Sequence, residues 1–199
     1  TPLYSSAASD VYKRQIVHFG VDVAYRRDTA AVAGVYRDYD SGVFCLRCHK
    51  VWEPPVHIPA ITDYLLERFD DESVAGIWYD PHQYAAESQR LSTAGFGRFL
   101  HEVNQSGPFM IQIATDLHTH LQGQTFDLYD DTRVQSFFSW CAVKMSEAGP
   151  RIVKQAQTKP VDFVVACAMA LHGASQDEGF LESPAFQEEE HVVQLEMII

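Results

Sequence analysis

The chain has 199 residues, 46% of them hydrophobic and 21% charged, which describes a globular domain large enough for a substantial core. Its net charge of −12 is unevenly spread, since residues 16–175 hold 19 acidic and 13 basic residues, whereas residues 176–199 hold seven acidic residues and no Lys or Arg. This balance is a weak argument against a nucleic-acid partner, and the sequence contains neither a membrane-spanning apolar run nor a signal peptide, so we expect a cytoplasmic protein.

Residues 1–15 show no periodicity and resemble an adaptor-derived translation, so we expect a non-native leader and a gene truncated at its 5′ side. The chain then reads as an antiparallel three-strand meander, because apolar β-branched runs alternate with turn residues. The predicted strands are Val17–Ala24, Thr29–Arg37 and Val43–Trp52, with a hairpin turn over residues 38–42.

Strands and helices alternate after the meander. Helices are predicted over Ile58–Phe69, Pro81–Thr93, Phe109–Leu121, Asp130–Ser146 and Val161–His172, and strands over Ser73–Tyr79, Phe96–Val103, Thr125–Tyr129 and Arg151–Lys154. A meander followed by such alternation predicts an α/β fold in which helices cover a mixed sheet. We expect one domain over residues 16–174, and a flexible acidic tail over residues 175–199.

Cys45, Cys48 and His49 form a C-x-x-C-H sequence that resembles half of a zinc site. A second cysteine pair does not follow, and in a regular strand the two thiols would point to opposite faces. We therefore expect cysteines of a reduced protein rather than zinc ligands.

Three aspartates stand at informative places in this pattern. Asp22 lies inside an apolar strand, where an ionised carboxylate is costly without compensation. Asp80 ends the later strand and Asp162 begins the last helix, although each also has an ordinary explanation, as a helix cap and as a partner of the helix dipole. If the first and fourth strands are neighbours, the three carboxylates meet at one end of the sheet. Divalent cations such as Mg²⁺ would then relieve their mutual repulsion.

Three segments carry a specific resemblance: GVDVAYRRDTAAVAGV, IWYDPHQYAAESQRL and KPVDFVVACAMALHGA. In this order and at these separations they resemble the C-terminal nuclease domain of phage terminase large subunits, over about Ile16 to Ala174. The resemblance implies an RNase H-like fold, shared with Holliday-junction resolvases. It also implies an endonuclease that cuts concatemeric double-stranded viral DNA during packaging, with two Mg²⁺ or Mn²⁺ ions as cofactors.

The resemblance also assigns residues. It places the catalytic carboxylates at Asp22, Asp80 and Asp162, all three as metal ligands, with Asp28 as a further metal ligand. The basic residues that would contact the DNA backbone are Arg26, Arg27, Lys154 and Lys159. For any single one of these four, ordinary solvated surface charge is an equally good interpretation.

The family's biology supplies the expected partners: an upstream ATPase domain, the portal and the small terminase subunit, in the cytoplasm of an infected host. The sequence contains no G-x-x-x-x-G-K-[ST] motif, so the packaging ATPase is not expected in this chain. Three alternatives stay open. They are a Holliday-junction resolvase-like nuclease, a phosphate-binding lobe of the sugar kinase and actin superfamily, and a non-catalytic docking module of the packaging machine.

Overall fold

A computed structural model describes residues 15–23, 29–104, 107–147, 149–156 and 159–177. The predicted leader (except Gln15) and most of the predicted acidic tail lie outside these residues. Within the described ranges, the helices are too short or too polar to cross a membrane.

The architecture is a six-stranded mixed sheet with the spatial order β5-β4-β1-β2-β3-β6. Strands β1, β2 and β3 form the predicted antiparallel meander, while β4 runs parallel to β1, β5 parallel to β4, and β6 parallel to β3. The strands are β1 Ile16–Val23, β2 Ala30–Arg37, β3 Phe44–Trp52, β4 Ser73–Tyr79, β5 Leu100–Glu102 and β6 Phe126–Asp127. The predicted α/β fold with an antiparallel meander and parallel strands is confirmed.

Helices cover both faces of this sheet. They are α1 Pro59–Asp71, α2 Pro81–Leu91, α3 Gly107–Gln122, α4 Thr132–Ser139 and α5 Asp162–Gln176. One face packs apolar side chains of β1 against α1 and α2, and the other packs β2 and β3 against α3, α4 and α5. Residues of β1 alternate between the two faces because successive strand side chains point in opposite directions.

Helix α5 lies at the centre of the second layer. Its residues are buried continuously from Asp162 to Ala174, as expected for a helix with sheet on one side and other helices on the other. The helix approaches β1 closely because Gly20 has no side chain: a Cβ there would overlap the carbonyl oxygen of Ala166 and lie 2.9 Å from the nitrogen of Ala170. This contact fixes the position of α5 along the first strand.

The second half of the chain differs from the sequence prediction. The helix predicted over Asp130–Ser146 is wrong beyond residue 139, because Cys141–Ser146 is a strand, β7, that pairs antiparallel with β8, Gly149–Lys154. The segment therefore forms a separate two-stranded ribbon, and Arg151–Lys154 does not return to the main sheet. Helical periodicity continues through the segment by coincidence, and pairing with a later strand overrides it. Met145, in the first strand of this ribbon, is 69% exposed.

Two further boundaries differ. The strand predicted over Phe96–Val103 is confined to β5, since residues 92–99 form short π- and 3₁₀-helical turns around Gly95, whose φ is +96°. The last helix continues four residues beyond His172, into the segment predicted as tail.

The arrangement of Cys45 and Cys48 differs from the prediction that their thiols point to opposite faces of the sheet. Cys45 pairs with Tyr36 and Cys48 with Gly34, two positions that share one face of β2, because a bulge at Arg47 inserts an extra residue between the cysteines. Both thiols therefore lie on the same face of the sheet rather than on opposite faces. Both are free, and they belong to no group of metal-ligating side chains in the described part of the chain.

Candidate functional site

The first two predicted carboxylates come from neighbouring parallel strands. Val21 of β1 pairs with Tyr79 of β4, and Asp22 and Asp80 are the next residues along these two strands. Residues at equal positions on adjacent parallel strands lie about 5 Å apart and point to the same face. Asp22 is 8% exposed and Asp80 is 6% exposed, so both carboxylates are withdrawn from solvent at the same end of the sheet.

The third carboxylate reaches this end of the sheet through α5. Ala166 of α5 lies over Gly20 of β1. Asp162 is about one helical turn before Ala166, and Asp22 is two residues after Gly20 along the strand. A helical turn rises about 5.4 Å and two strand residues span about 6.6 Å, so the two carboxylates come from nearby backbone positions. Asp162 is 6% exposed.

A hydrogen bond ties Asp162 to the sheet. The hydroxyl of Thr29 donates to Asp162 Oδ2 at 2.6 Å, and Thr29 directly precedes Ala30, which pairs with Val23 of β1. Asp162 therefore lies at the end of β1 and β2 where Asp22 lies. The topology brings together the three predicted aspartates, which are separated in the sequence by 58 and 82 residues.

The carboxylates have protein partners in this arrangement. Asp80 Oδ1 accepts a hydrogen bond of 2.9 Å from the backbone N–H of His82, which caps α2, and Asp162 Oδ2 is held by Thr29. In the described residues no three His, Cys, Asp or Glu side chains are gathered into a group that could hold a metal ion. The backbone thus places the three carboxylates at one end of the sheet, although among the described residues they are not gathered closely enough to count as such a group.

The donor set nevertheless matches a hard divalent cation in chemical type. Mg²⁺ and Mn²⁺ prefer carboxylate oxygen ligands, and three buried carboxylates from β1, β4 and α5 supply them. Several negative charges buried together repel one another, and a bound cation offsets that repulsion.

The negative charge of Asp162 influences the ionisation of the Cys141 thiol in the β7–β8 ribbon. Burial and the nearby Asp162 raise the pKa of Cys141 to about 11. Cys141 is paired with Lys154 across the ribbon, and the neighbouring Trp140 carries the Lys159 ammonium 4.3 Å from its ring centroid. Lys154 therefore lies across the ribbon from Cys141, whose thiol is influenced by Asp162, and Lys159 lies against the adjacent Trp140.

The remaining predicted site residues, Asp28, Arg26 and Arg27, lie outside the described residues. His172 of α5 pairs with Asp116 at 2.6 Å and is ten residues along the helix from Asp162, about 15 Å at 1.5 Å per residue. It lies away from the three aspartates. His82 contributes its backbone N–H to Asp80.

Sequence reasoning missed several residues of this region. The sequence predicts Thr29 only as the start of a strand, whereas the structure shows that its hydroxyl contacts Asp162, 133 residues away. His49 of β3 packs its ring 5.0 Å from that of Phe163, the residue after Asp162, and hydrogen-bonds to the hydroxyl of Tyr129. Burial lowers the pKa of His49 and so favours the neutral ring. The sequence carried no pattern that links these residues.

Solved structures of phage large terminases superpose on this chain. The large terminase of bacteriophage HK97 superposes with a TM-score of 0.70 and 15% identity, covering 87% of this chain and 44% of that one. The large terminase nuclease of the thermophilic phage G20c, solved with bound magnesium, superposes with a TM-score of 0.63 and 15% identity over 80% of this chain and 82% of that one. The fold is that of phage large terminase nucleases.

The same G20c nuclease has also been solved with bound zinc, and that structure matches with a TM-score of 0.59 and 14% identity over 80% of this chain and 81% of that one. No protein-family model matches the sequence, and no curated protein matches it. The chain spans 44% of the length of the HK97 large terminase. At these identities the likeness to the terminase nucleases establishes the fold.

Proposed function

We propose that this chain is the metal-dependent endonuclease domain of a viral DNA-packaging terminase large subunit. The observation that carries the proposal is the convergence of Asp22, Asp80 and Asp162 at one end of the sheet, in a fold shared with terminase nucleases. The substrate is concatemeric double-stranded DNA, and the reaction is hydrolysis of a phosphodiester bond.

The three aspartates are proposed to hold two Mg²⁺ or Mn²⁺ ions, with Asp28 assisting at one of them. Such a pair of ions activates the attacking water and stabilises the leaving oxygen in phosphodiester hydrolysis. The chain's own contribution is to fix the ligands on rigid elements: two lie at the ends of adjacent parallel strands and the third lies in the first turn of a helix buried along its length. Rigid placement of ligands limits the reorganisation that cation binding requires.

Basic residues beside this cluster are proposed to hold the DNA backbone. Lys154 and Lys159 lie around Trp140 and Cys141, next to Asp162, and Arg26 and Arg27 are proposed for the same role. Because the chain is acidic overall, a local group of cations near the carboxylates is needed to attract phosphates to this face. Contacts of this kind bind DNA without sequence preference and weaken as salt rises.

The packaging context is part of the proposal. The expected partners are an ATPase domain upstream of this nuclease, the portal and the small terminase subunit. The expected location is the cytoplasm of an infected host, with transient attachment at the procapsid portal.

Nicking of supercoiled plasmid by the purified chain in Mg²⁺ or Mn²⁺ tests the activity. Single substitutions Asp22→Asn, Asp80→Asn and Asp162→Asn should each reduce cutting to the background rate, because each removes a proposed ligand while nearly preserving side-chain volume. Asp70→Asn is the matched control: Asp70 is an exposed aspartate of α1, on the opposite side of the sheet, and its substitution should leave cutting unchanged.

Undiminished cutting by Asp22→Asn would refute the assignment of the site. Absence of cutting by the wild-type chain in either metal would favour the non-catalytic docking module. A strong preference for four-way junctions over linear duplex DNA would favour the resolvase-like alternative.

A further inference from the structure

Asp162 is held by a side chain from a different part of the fold. The Thr29 hydroxyl donates to Asp162 Oδ2 at 2.6 Å, and Thr29 is 5% exposed while Asp162 is 6% exposed. Hydrogen bonds between a hydroxyl and a carboxylate are charge-assisted, and 2.6 Å lies in their short, strong range. Water cannot easily replace this contact at such burial.

The hydrogen bond from Thr29 restricts the orientation of the Asp162 carboxylate. Asp162 lies in the first turn of α5, where its backbone is fixed by helix packing but its carboxyl group can still rotate about χ2. A donor fixed at the start of β2 selects one rotation because it engages one of the two oxygens. Thr29 is itself well placed for this task, since it is β-branched, stiff at χ1 and anchored next to the Val23–Ala30 pair.

We propose that Thr29 is a positioning residue, whose hydroxyl orients the Asp162 carboxylate for a divalent cation. The inference rests on the proposed function, because it assumes that Asp162 is a cation ligand. Thr29 does not itself need to touch the cation or the DNA. Its role corresponds to the hydrogen-bond partners that hold metal ligands in orientation elsewhere, whose loss typically weakens metal binding about 10–100-fold.

Titration calorimetry with Mn²⁺ alone, on the purified chain, tests this role without relying on DNA cutting. Thr29→Val keeps the shape of the side chain and removes the hydroxyl, so the Kd for Mn²⁺ should rise roughly 10-fold or more. Thr29→Ser keeps the hydroxyl and should bind Mn²⁺ within about threefold of the wild type, a margin well below that loss.

Thr62 provides the matched control. Its hydroxyl is also fully buried and hydrogen-bonded, to the Tyr84 hydroxyl at 2.7 Å, but it lies in α1 on the other face of the sheet. Thr62→Val therefore removes a comparable buried hydrogen bond away from the site, and its Kd for Mn²⁺ should match that of the wild type. This control separates a general loss of stability from a local effect on the cation.

The possible failures are distinguishable. Wild-type affinity in Thr29→Val, or an equal loss of affinity in Thr29→Val and Thr29→Ser, would overturn the positioning role while leaving the nuclease proposal intact. A wild-type chain that neither binds Mn²⁺ nor cuts DNA would overturn both proposals. Unchanged Mn²⁺ affinity in Asp162→Asn would overturn the positioning role through its premise.

Discussion

The contact between β1 and α5 at Gly20 gives a sharp prediction for both stability and activity. A Cβ at Gly20 would overlap the carbonyl oxygen of Ala166, and it would lie 2.9 Å from both the carbonyl carbon of Ala166 and the backbone nitrogen of Ala170. All three are backbone atoms of a buried helix, so no side-chain rotation can relieve the clash. Gly20→Ala therefore forces α5 away from the strand.

The size of the effect follows from the atoms involved. Overpacking a core usually costs about 1–3 kcal/mol, and a clash with helix backbone belongs at the upper end of this range, about 3 kcal/mol. For a chain of this size, 1 kcal/mol corresponds to about 2–4 °C in Tm, so Gly20→Ala should melt about 6–12 °C lower than the wild type. Because α5 carries Asp162, DNA cutting should fall even at temperatures where the variant stays folded.

Thermal unfolding followed by circular dichroism measures the shift. Gly107→Ala is the matched control, because a Cβ at the first residue of α3 meets nothing within 4 Å, and its Tm should stay near that of the wild type. A Tm for Gly20→Ala within about 2 °C of the wild type, a shift below 1 kcal/mol, would refute the close packing of α5 on β1.

The ionisable groups His101, Lys159 and Asp162 each allow a separate test. Burial lowers the pKa of His101 in the folded chain, so the unfolded chain binds this proton at a higher pH than the folded chain does. The free energy of unfolding should therefore fall as the pH drops from about 7.5 through 6.5 toward the lowered folded-state pKa. Over this pH range the urea midpoint should fall less in His101→Asn than in the wild type. Lys159→Gln should weaken DNA binding for all sequences and reduce the slope of log K against log salt by about 1. Asp162→Asn removes one cause of the raised pKa of Cys141, so iodoacetamide should alkylate this thiol faster at pH 9, as measured by peptide mass spectrometry.

Each of these predictions has its own contrary outcome. The same decrease in urea midpoint in His101→Asn and the wild type would contradict the histidine prediction. Lys50→Gln is the control for the salt slope, because Lys50 contacts Trp52 and Tyr64 on the α1 side of the sheet, and an equal decrease in both variants would remove the special role of Lys159. Alkylation of Cys141 at the wild-type rate in Asp162→Asn would show that the carboxylate does not influence the thiol.

The order of strands in the first half of the chain could be predicted from sequence because its causes are local. Apolar alternation marks β1, β2 and β3, and the Asp38–Gly42 turn closes its own hydrogen bonds, with Gly42 at a φ of +73°. Ser73–Tyr79 was predicted at its observed bounds, since a charged segment precedes it and Asp80-Pro81 starts the next helix. The cost of a carboxylate inside an apolar strand likewise marked Asp22 without any knowledge of its neighbours.

Other features of the fold depend on contacts between segments that are far apart in the chain. The periodicity of residues 130–146 is compatible with one helix, and pairing with Gly149–Lys154 makes its second half a strand, which in turn brings Lys154 beside Cys141 and Asp162. Thr29 became part of the site through a hydrogen bond across 133 residues. The residues that are costly to bury can be identified from local sequence, because that cost depends on the side chain and its immediate segment. Which partner meets each of them depended on packing between segments far apart in the chain, and only the folded structure specifies that packing.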